Sequence, residues 1–429
     1  MNRFISFLRN WRHNRSSSSK KVLILASGTT IAQALNIIFV PIISRLYHPP
    51  DYAIFALFIS IQTVLQAIAT GKFEYAVMLP KKEKDSYALT LIATGILSIL
   101  CFLVMLAVIF YRFSIADMLG NHALANWLWL LPFSLFIASS NDITNYWAIR
   151  GQHYKKLAMT RVSASFTKTA INIGYRIFLK GPGGLILGGF LSMVYPIIYL
   201  RTTCLRTLSK SQMKVTWKRI KSRLAKYRHF PLYTAPNSLL GVLSIQIPIV
   251  LISRFFSENA LGSYSYALQI MNFPMTIIGA AVGQVFYQEF SDAIRCGGDS
   301  KGLLIKTWKR LAIMGILPLT LIFFWGGPIF SFVFGAQWAI AGRIAAIIAP
   351  SVLGTFISSP TSSATLALNL QKTTFFFGLA QIIYRPLALY YGYLHHNLFY
   401  GLYVLVVCDI LMLVAYNYVI WRHLPKEHH

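Results

Sequence analysis

Apolar runs of about twenty residues or more recur along the chain, separated by short polar segments. A helix of about twenty apolar residues crosses the hydrocarbon core of a bilayer. The pattern therefore predicts spans near 22–44, 52–71, 87–111, 123–148, 157–179, 184–204, 231–254, 262–286, 308–330, 338–360, 372–393 and 398–421. The expected fold is all-α and polytopic, with about twelve transmembrane helices. A basic segment at 205–230 splits them into a six-helix lobe at 22–204 and a second at 231–421. Residues 1–21 form a basic, amphipathic N-terminus and 422–429 a short tail. The first run, from Val22 to Tyr47, lacks an A-x-A exit and reads as a span, not as a cleavable signal.

Charge sets the orientation. Hydrophobic residues make up 56% of the 429 and charged residues only 12%, against about a quarter in soluble chains. A net charge of +28 on a soluble domain would suit nucleic acid. Here the positive residues sit between apolar runs, so a nucleic-acid partner is not expected. Thirty Lys and Arg fall in alternate connecting segments, and only Arg45, Arg112, Lys180 and Arg254 fall in the others. That asymmetry predicts an even number of crossings with both termini cytoplasmic. Two basic segments also carry apolar residues at helical spacing: Phe4, Phe7, Leu8 and Trp11, then Trp217, Ile220, Leu224 and Tyr227. They suit helices lying on an anionic inner leaflet, or they are topology signals alone.

Polar residues inside the spans point to an interior that is not hydrocarbon. A cation at the bilayer centre costs about 2.5–3.5 kcal/mol on insertion scales. The fifth span nonetheless contains Arg161, Lys168 and Arg176. With Ser165 and Asn172 they share one face, and Val162, Phe166, Ala170, Ile173 and Ile177 take the other. Arg161 and Arg176 lie near the ends, where they can snorkel, and Asp142 is placed to neutralise Arg161. Lys168, at mid-depth, needs water or an anion. Matching stripes run along span 1 (Thr29, Gln33, Asn36), span 4 (Ser134, Asn141, Asn145) and span 8 (Ser265, Gln269, Asn272, Thr276). Each serves as helix–helix glue or as lumen lining. In the second half, Arg385 and Asp409 lie at similar depth and read as an ion pair or as a cation-sensitive coupling pair. Arg343 snorkels near the outer end of span 10.

The two halves carry a faint repeat. Ile43-Ser44-Arg45-Leu46-Tyr47 closes span 1, and Ile252-Ser253-Arg254-Phe255-Phe256 closes span 7. A duplicated six-helix bundle places its substrate site between the copies. Catalytic signatures are missing: no Gly-rich loop with Lys-Ser/Thr, no H-E-x-x-H, and four dispersed cysteines. His395-His396 is too small to form a metal site alone. No cofactor, metal or enzymatic activity is expected.

Specific residues resemble the bacterial polysaccharide flippases. They are Ala26-Ser27-Gly28-Thr29, Ala32-Gln33, Pro41, Ser44-Arg45-Leu46-Tyr47 and Pro50-Asp51, then Phe73-Glu74-Tyr75-Ala76 with Leu79-Pro80-Lys81, then Val285-Phe286 and Glu289. The resemblance implies a Wzx-type O-antigen or capsule flippase, in the superfamily that also holds MATE multidrug exporters and lipid II flippases. It implies an undecaprenyl-pyrophosphate-linked glycan moved across the bacterial inner membrane by alternating access. It further implies H+ or Na+ as coupling ion and contact with polysaccharide polymerase machinery. Glu74 matches a family segment and is either a site residue or a partner of neighbouring lysines; Arg45 and Arg254 match a helix-end position and are either site residues or topological anchors. A multidrug exporter of the same superfamily and a membrane polymerase or ligase are the alternatives.

Overall fold

The computed structural model describes residues 17–206, 214–296, 298–360, 364–365, 368 and 370–424. The N-terminal amphipathic segment around Phe4–Trp11 lies outside them. The long helices are α1 (Ser17–Leu46), α2 (Pro49–Gln66), α3 (Glu83–Met118), α4 (Leu131–Arg150) and α5 (Tyr154–Phe178). The sixth, α6, covers Gly183–Leu191 and, past a turn at Ser192 and Met193, Val194–Arg206. Then come α7 (Ala235–Phe255), α8 (Glu258–Cys296), α9 (Ser300–Phe334), α10 (Ala339–Ser358), α11 (Gln371–Leu394) and α12 (Leu398–Arg422). Among the described residues seven are long and apolar enough to cross a membrane, namely α1, α3, α6, α7, α9, α10 and α12. Helix α5, diluted by its polar stripe, is not among them.

The ends follow local chemistry. Pro49 and Pro50 start α2, where a missing N–H costs nothing. His48 N–H donates to the Asp51 carboxylate at 3.2 Å. Helix α4 starts later than hydropathy suggests, because 122–130 winds into two short 3₁₀ turns opened by Asn121, whose side chain caps Leu124 N–H.

Helix packing repeats with a step of six. In the first half α1 packs on α5, α2 and α3 on α4, and α6 on α4 and α5. In the second half α7 packs on α11, α8 and α9 on α10, and α12 on α10 and α11. The halves meet through α2 against α7 and α8, and through α1 against α9. Gly262 makes the first contact possible, since a Cβ there would occupy the Pro49 carbonyl.

The buried apolar residues are distributed unequally between the two ends of the bundle. At the end holding the 119–130 and 335–338 loops, one cluster spans both halves. Its centre is aromatic: Tyr266 stacks on Trp338 at 4.0 Å, and Tyr52 meets both edge-on at about 5 Å. At the other end, where the basic loops lie, the cores are separate. Phe73, Leu89, Trp147 and Tyr227 belong to one, and Phe286, Phe290, Leu304 and Ile420 to the other. The halves are therefore joined at one end and divided at the other.

The basic middle segment contains a helix, Trp217–Lys226, fastened to the start of α3 by Arg219 and Arg223, 3.6 and 3.2 Å from Asp85. Its expected apolar face is divided. Ile220 and Tyr227 pack into the core, and Trp217 and Leu224 remain exposed.

Candidate functional site

Helix α5 turns as its periodicity requires. Phe166 and Ile177 face outward, and Ser165 and Asn172 are buried. Its polar face packs on α1 and α6 around a cavity of about 460 Å³. The lining includes Thr29, Gln33 and Asn36 from α1, Gln62 from α2, Asn141 and Asn145 from α4, and Arg161, Ser165 and Lys168 from α5. Hydrogen bonds fix several of these. Ser165 donates to Asn36 Oδ1 at 2.9 Å and to the Ala32 carbonyl at 2.8 Å, and Ser134 donates to Gln62 at 2.9 Å. Arg161 donates to the Thr29 hydroxyl. Lys168 is different: among the described residues its ammonium has no hydrogen-bond or ion-pair partner. The lining contains two cations and no carboxylate.

Several expected members lie elsewhere. Asn172 supports the α5–α6 contact, with its amide positioned to donate to the Gly184 and Lys168 carbonyls at 2.8 and 3.0 Å. Its backbone carbonyl accepts from the Tyr47 hydroxyl at 2.8 Å. Arg176 donates to the Leu46 carbonyl at 2.6 Å and lies 3.7 Å from Asp51, so it ties α5 to the α1–α2 corner. Asp142 does not neutralise Arg161; it accepts from Gln66 at 2.7 Å. Gln269 and Asn272 are exposed on α8 and line neither this cavity nor the smaller one described below. The Thr276 side chain is outside the described set. The cavity itself lies within the first half, not between the halves as the repeat suggested.

Arg385 and Asp409 meet at 3.2 Å. Tyr384 also donates to Asp409, and Arg385 donates to the Ser244 carbonyl at 2.6 Å, joining α7, α11 and α12. Glu74 accepts from Thr70 and lies 3.8 Å from Lys72.

Sequence reading missed Gln62, Thr160 and Ser192 in the lining. Gln62 carried a signal, as a lone amide in the apolar run 52–65. The other two did not, since small hydroxyl residues are common in buried helices.

The repeated Ser-Arg pairs form a clasp at the joined end. Ser44 donates to the Phe334 carbonyl at 3.1 Å, and Arg45 to the Phe332 carbonyl at 3.1 Å. Ser253 and Arg254 make the equivalent bonds to Leu119 and Asp117, at 2.6 and 3.3 Å. Gly120 is required beside the second set: its φ is +74°, and a Cβ would press on the Ser253 carbonyl at 2.8 Å. The cavity lies toward the divided end, so the two features occupy opposite parts of the bundle.

Known proteins share this architecture. A structure described as the inward-facing conformation of a multidrug resistance MATE family transporter of the MOP superfamily aligns with a TM-score of 0.70. It covers 93% of this chain and 95% of that one at 13% identity. The lipid II flippase MurJ in an inward closed conformation aligns with a TM-score of 0.73, over 93% and 87% of the two chains, at 14% identity. At these identities the likeness is one of fold, and the fold is that of a polytopic membrane protein. The succinoglycan biosynthesis transport protein ExoT of Rhizobium meliloti (strain 1021) is 19% identical over 394 residues, 90% of this chain and 77% of that one. The family profile described as polysaccharide biosynthesis protein matches residues 42–342, well over half the sequence. The chain thus belongs to the polysaccharide biosynthesis protein family.

Proposed function

We propose that this protein is a flippase that carries an undecaprenyl-pyrophosphate-linked oligosaccharide across the bacterial inner membrane by alternating access. The observation that supports this most directly is the Lys168 ammonium, without a partner among the described residues, in a cavity inside the first half that Arg161 also lines. Cations without carboxylates in a low-dielectric site attract a polyanion, and a pyrophosphate is the polyanion this family's lipid carrier provides. Gln33, Asn36, Asn141 and Asn145 offer amides to the adjoining sugar hydroxyls. The cavity suits a headgroup and the sugar beside it, not a whole repeat unit.

In this reading the chain crosses the membrane twelve times with both ends in the cytoplasm. The divided, basic end faces the cytoplasm and the clasped end faces outward. Substrate enters from the inside while the clasp holds the outside shut. The Arg385–Asp409 pair is the proposed coupling element for H+ or Na+, and the Trp217–Lys226 helix contacts anionic lipids. The fold alone also suits a multidrug exporter, but a cationic lining disfavours cationic drugs.

The test is a null strain. It should accumulate lipid-linked repeat units on the cytoplasmic side and lack surface polysaccharide. Normal surface glycan in that strain rejects the reading, and altered drug susceptibility with normal glycan supports the exporter.

A further inference from the structure

A second cavity, of about 380 Å³, lies in the other half, between α9, α10 and α12. Phe324, Gly326, Gly327 and Pro328 line it from α9, Arg343 and Ala346 from α10, and Phe399 and Tyr403 from α12. It exists because α9 breaks. Trp325 leaves helical geometry (φ −123°, ψ 22°), and Pro328 follows. Gly326 and Gly342 then bring the α9 and α10 backbones into direct contact, and a Cβ on either would meet the other's carbonyl. The cleft lies beside this contact.

Arg343 stands in this cleft. Its stem passes Gly327, where a Cβ would lie 3.7 Å from Cγ. Among the described residues the guanidinium has no hydrogen bond, ion pair or ring partner, and no carboxylate lines the cleft. Around it the surface is apolar and open: Phe324 is 65% and Tyr403 54% exposed. The first half shows that the fold does not need this arrangement. There a 3₁₀ turn at 128–130 leads into α4, as one at 336–338 leads into α10. Four residues into α4 stands Leu135, fully buried; four residues into α10 stands Arg343, exposed.

We infer that this cleft binds the phosphate of an anionic lipid, with Arg343 holding the phosphate and Phe324 and Tyr403 flanking the first part of the tail. Arginine's fork matches phosphate oxygens, and Arg343 lies about one turn, roughly 6 Å, inside the clasped end of α10. That depth corresponds to the headgroup region of one leaflet. Assigning the leaflet as the outer one rests on the orientation proposed above; the binding itself does not.

The experiment places p-benzoylphenylalanine at position 403 in the full chain, in nanodiscs of phosphatidylcholine with a minority of phosphatidylglycerol. Cross-linked lipid is then identified by mass spectrometry. Phosphatidylglycerol should be enriched about fivefold over its bulk share, the factor one basic residue contributes near a membrane. Arg343→Lys should keep most of the enrichment and Arg343→Ala should lose it. Cross-linked lipid that mirrors the bulk composition, or enrichment that survives Arg343→Ala, overturns the inference. Transport is not measured, so failure of the flippase reading leaves these outcomes unaffected.

Discussion

The Ser253 hydroxyl at the end of α7 donates to the Leu119 carbonyl at the end of α3, 2.6 Å away. Ser44 makes the same bond to Phe334 from the other half. Each bond contributes about 0.5–1.5 kcal/mol, and together with the Tyr52–Tyr266–Trp338 cluster they hold one end of the bundle shut.

If that end must open during transport, locking it will stop the cycle. Cysteines at positions 119 and 253, joined through disulfides by a short bis-methanethiosulfonate cross-linker, are expected to abolish surface polysaccharide, with activity returning on reduction. Conversely, Ser44→Ala with Ser253→Ala should favour the opened state by about fivefold to 150-fold, scaled from two lost hydrogen bonds. Accessibility of a cysteine at position 266 to an external thiol reagent measures this.

Lys168 should be the most sensitive position in the first cavity. Lys168→Ala is expected to abolish complementation of the null strain with normal membrane levels, and Lys168→Arg to restore part of it. Full activity of Lys168→Ala would return the stripe to a structural role. Cysteines at 36, 145 and 168 should react with a water-soluble thiol reagent, and one at 172 should be protected by α6.

The α5–α6 contact depends on the lack of a side chain at Gly188, where a Cβ would meet the Asn172 side-chain amide. Gly188→Val should force the helices apart at a cost of about 1–3 kcal/mol, read as a lowered unfolding temperature in detergent. The same change at Gly189, where nothing lies within 4 Å, should leave the unfolding temperature close to that of the parent.

The Arg385–Asp409 pair separates stability from coupling. Asp409→Asn strands a mostly buried guanidinium and should destabilise by about 3–5 kcal/mol. Removing both charges, Arg385→Met with Asp409→Leu, should restore most of that loss. If the double variant is folded but inactive, the pair has a role in the transport cycle. If it complements fully, the pair is structural.

The sequence by itself determined the helices, the amphipathic rotation of α5 and the Ser-Arg repeat, because each is written in local periodicity or in a short motif. Hydrocarbon accepts Phe166 and Ile177 and rejects Lys168, so the orientation of α5 follows from its own composition. What only the tertiary structure decided is which polar residues share a space. Arg161, Lys168, Asn36 and Asn145 come from three helices and meet in one cavity. Arg176, on the same stripe, is drawn away by Leu46 and Asp51. A stripe fixes the direction a residue faces, but its partners lie on helices far along the chain. The same holds for the clasp, whose serines and arginines were visible as a repeat while the carbonyls they bind carry no side-chain signature.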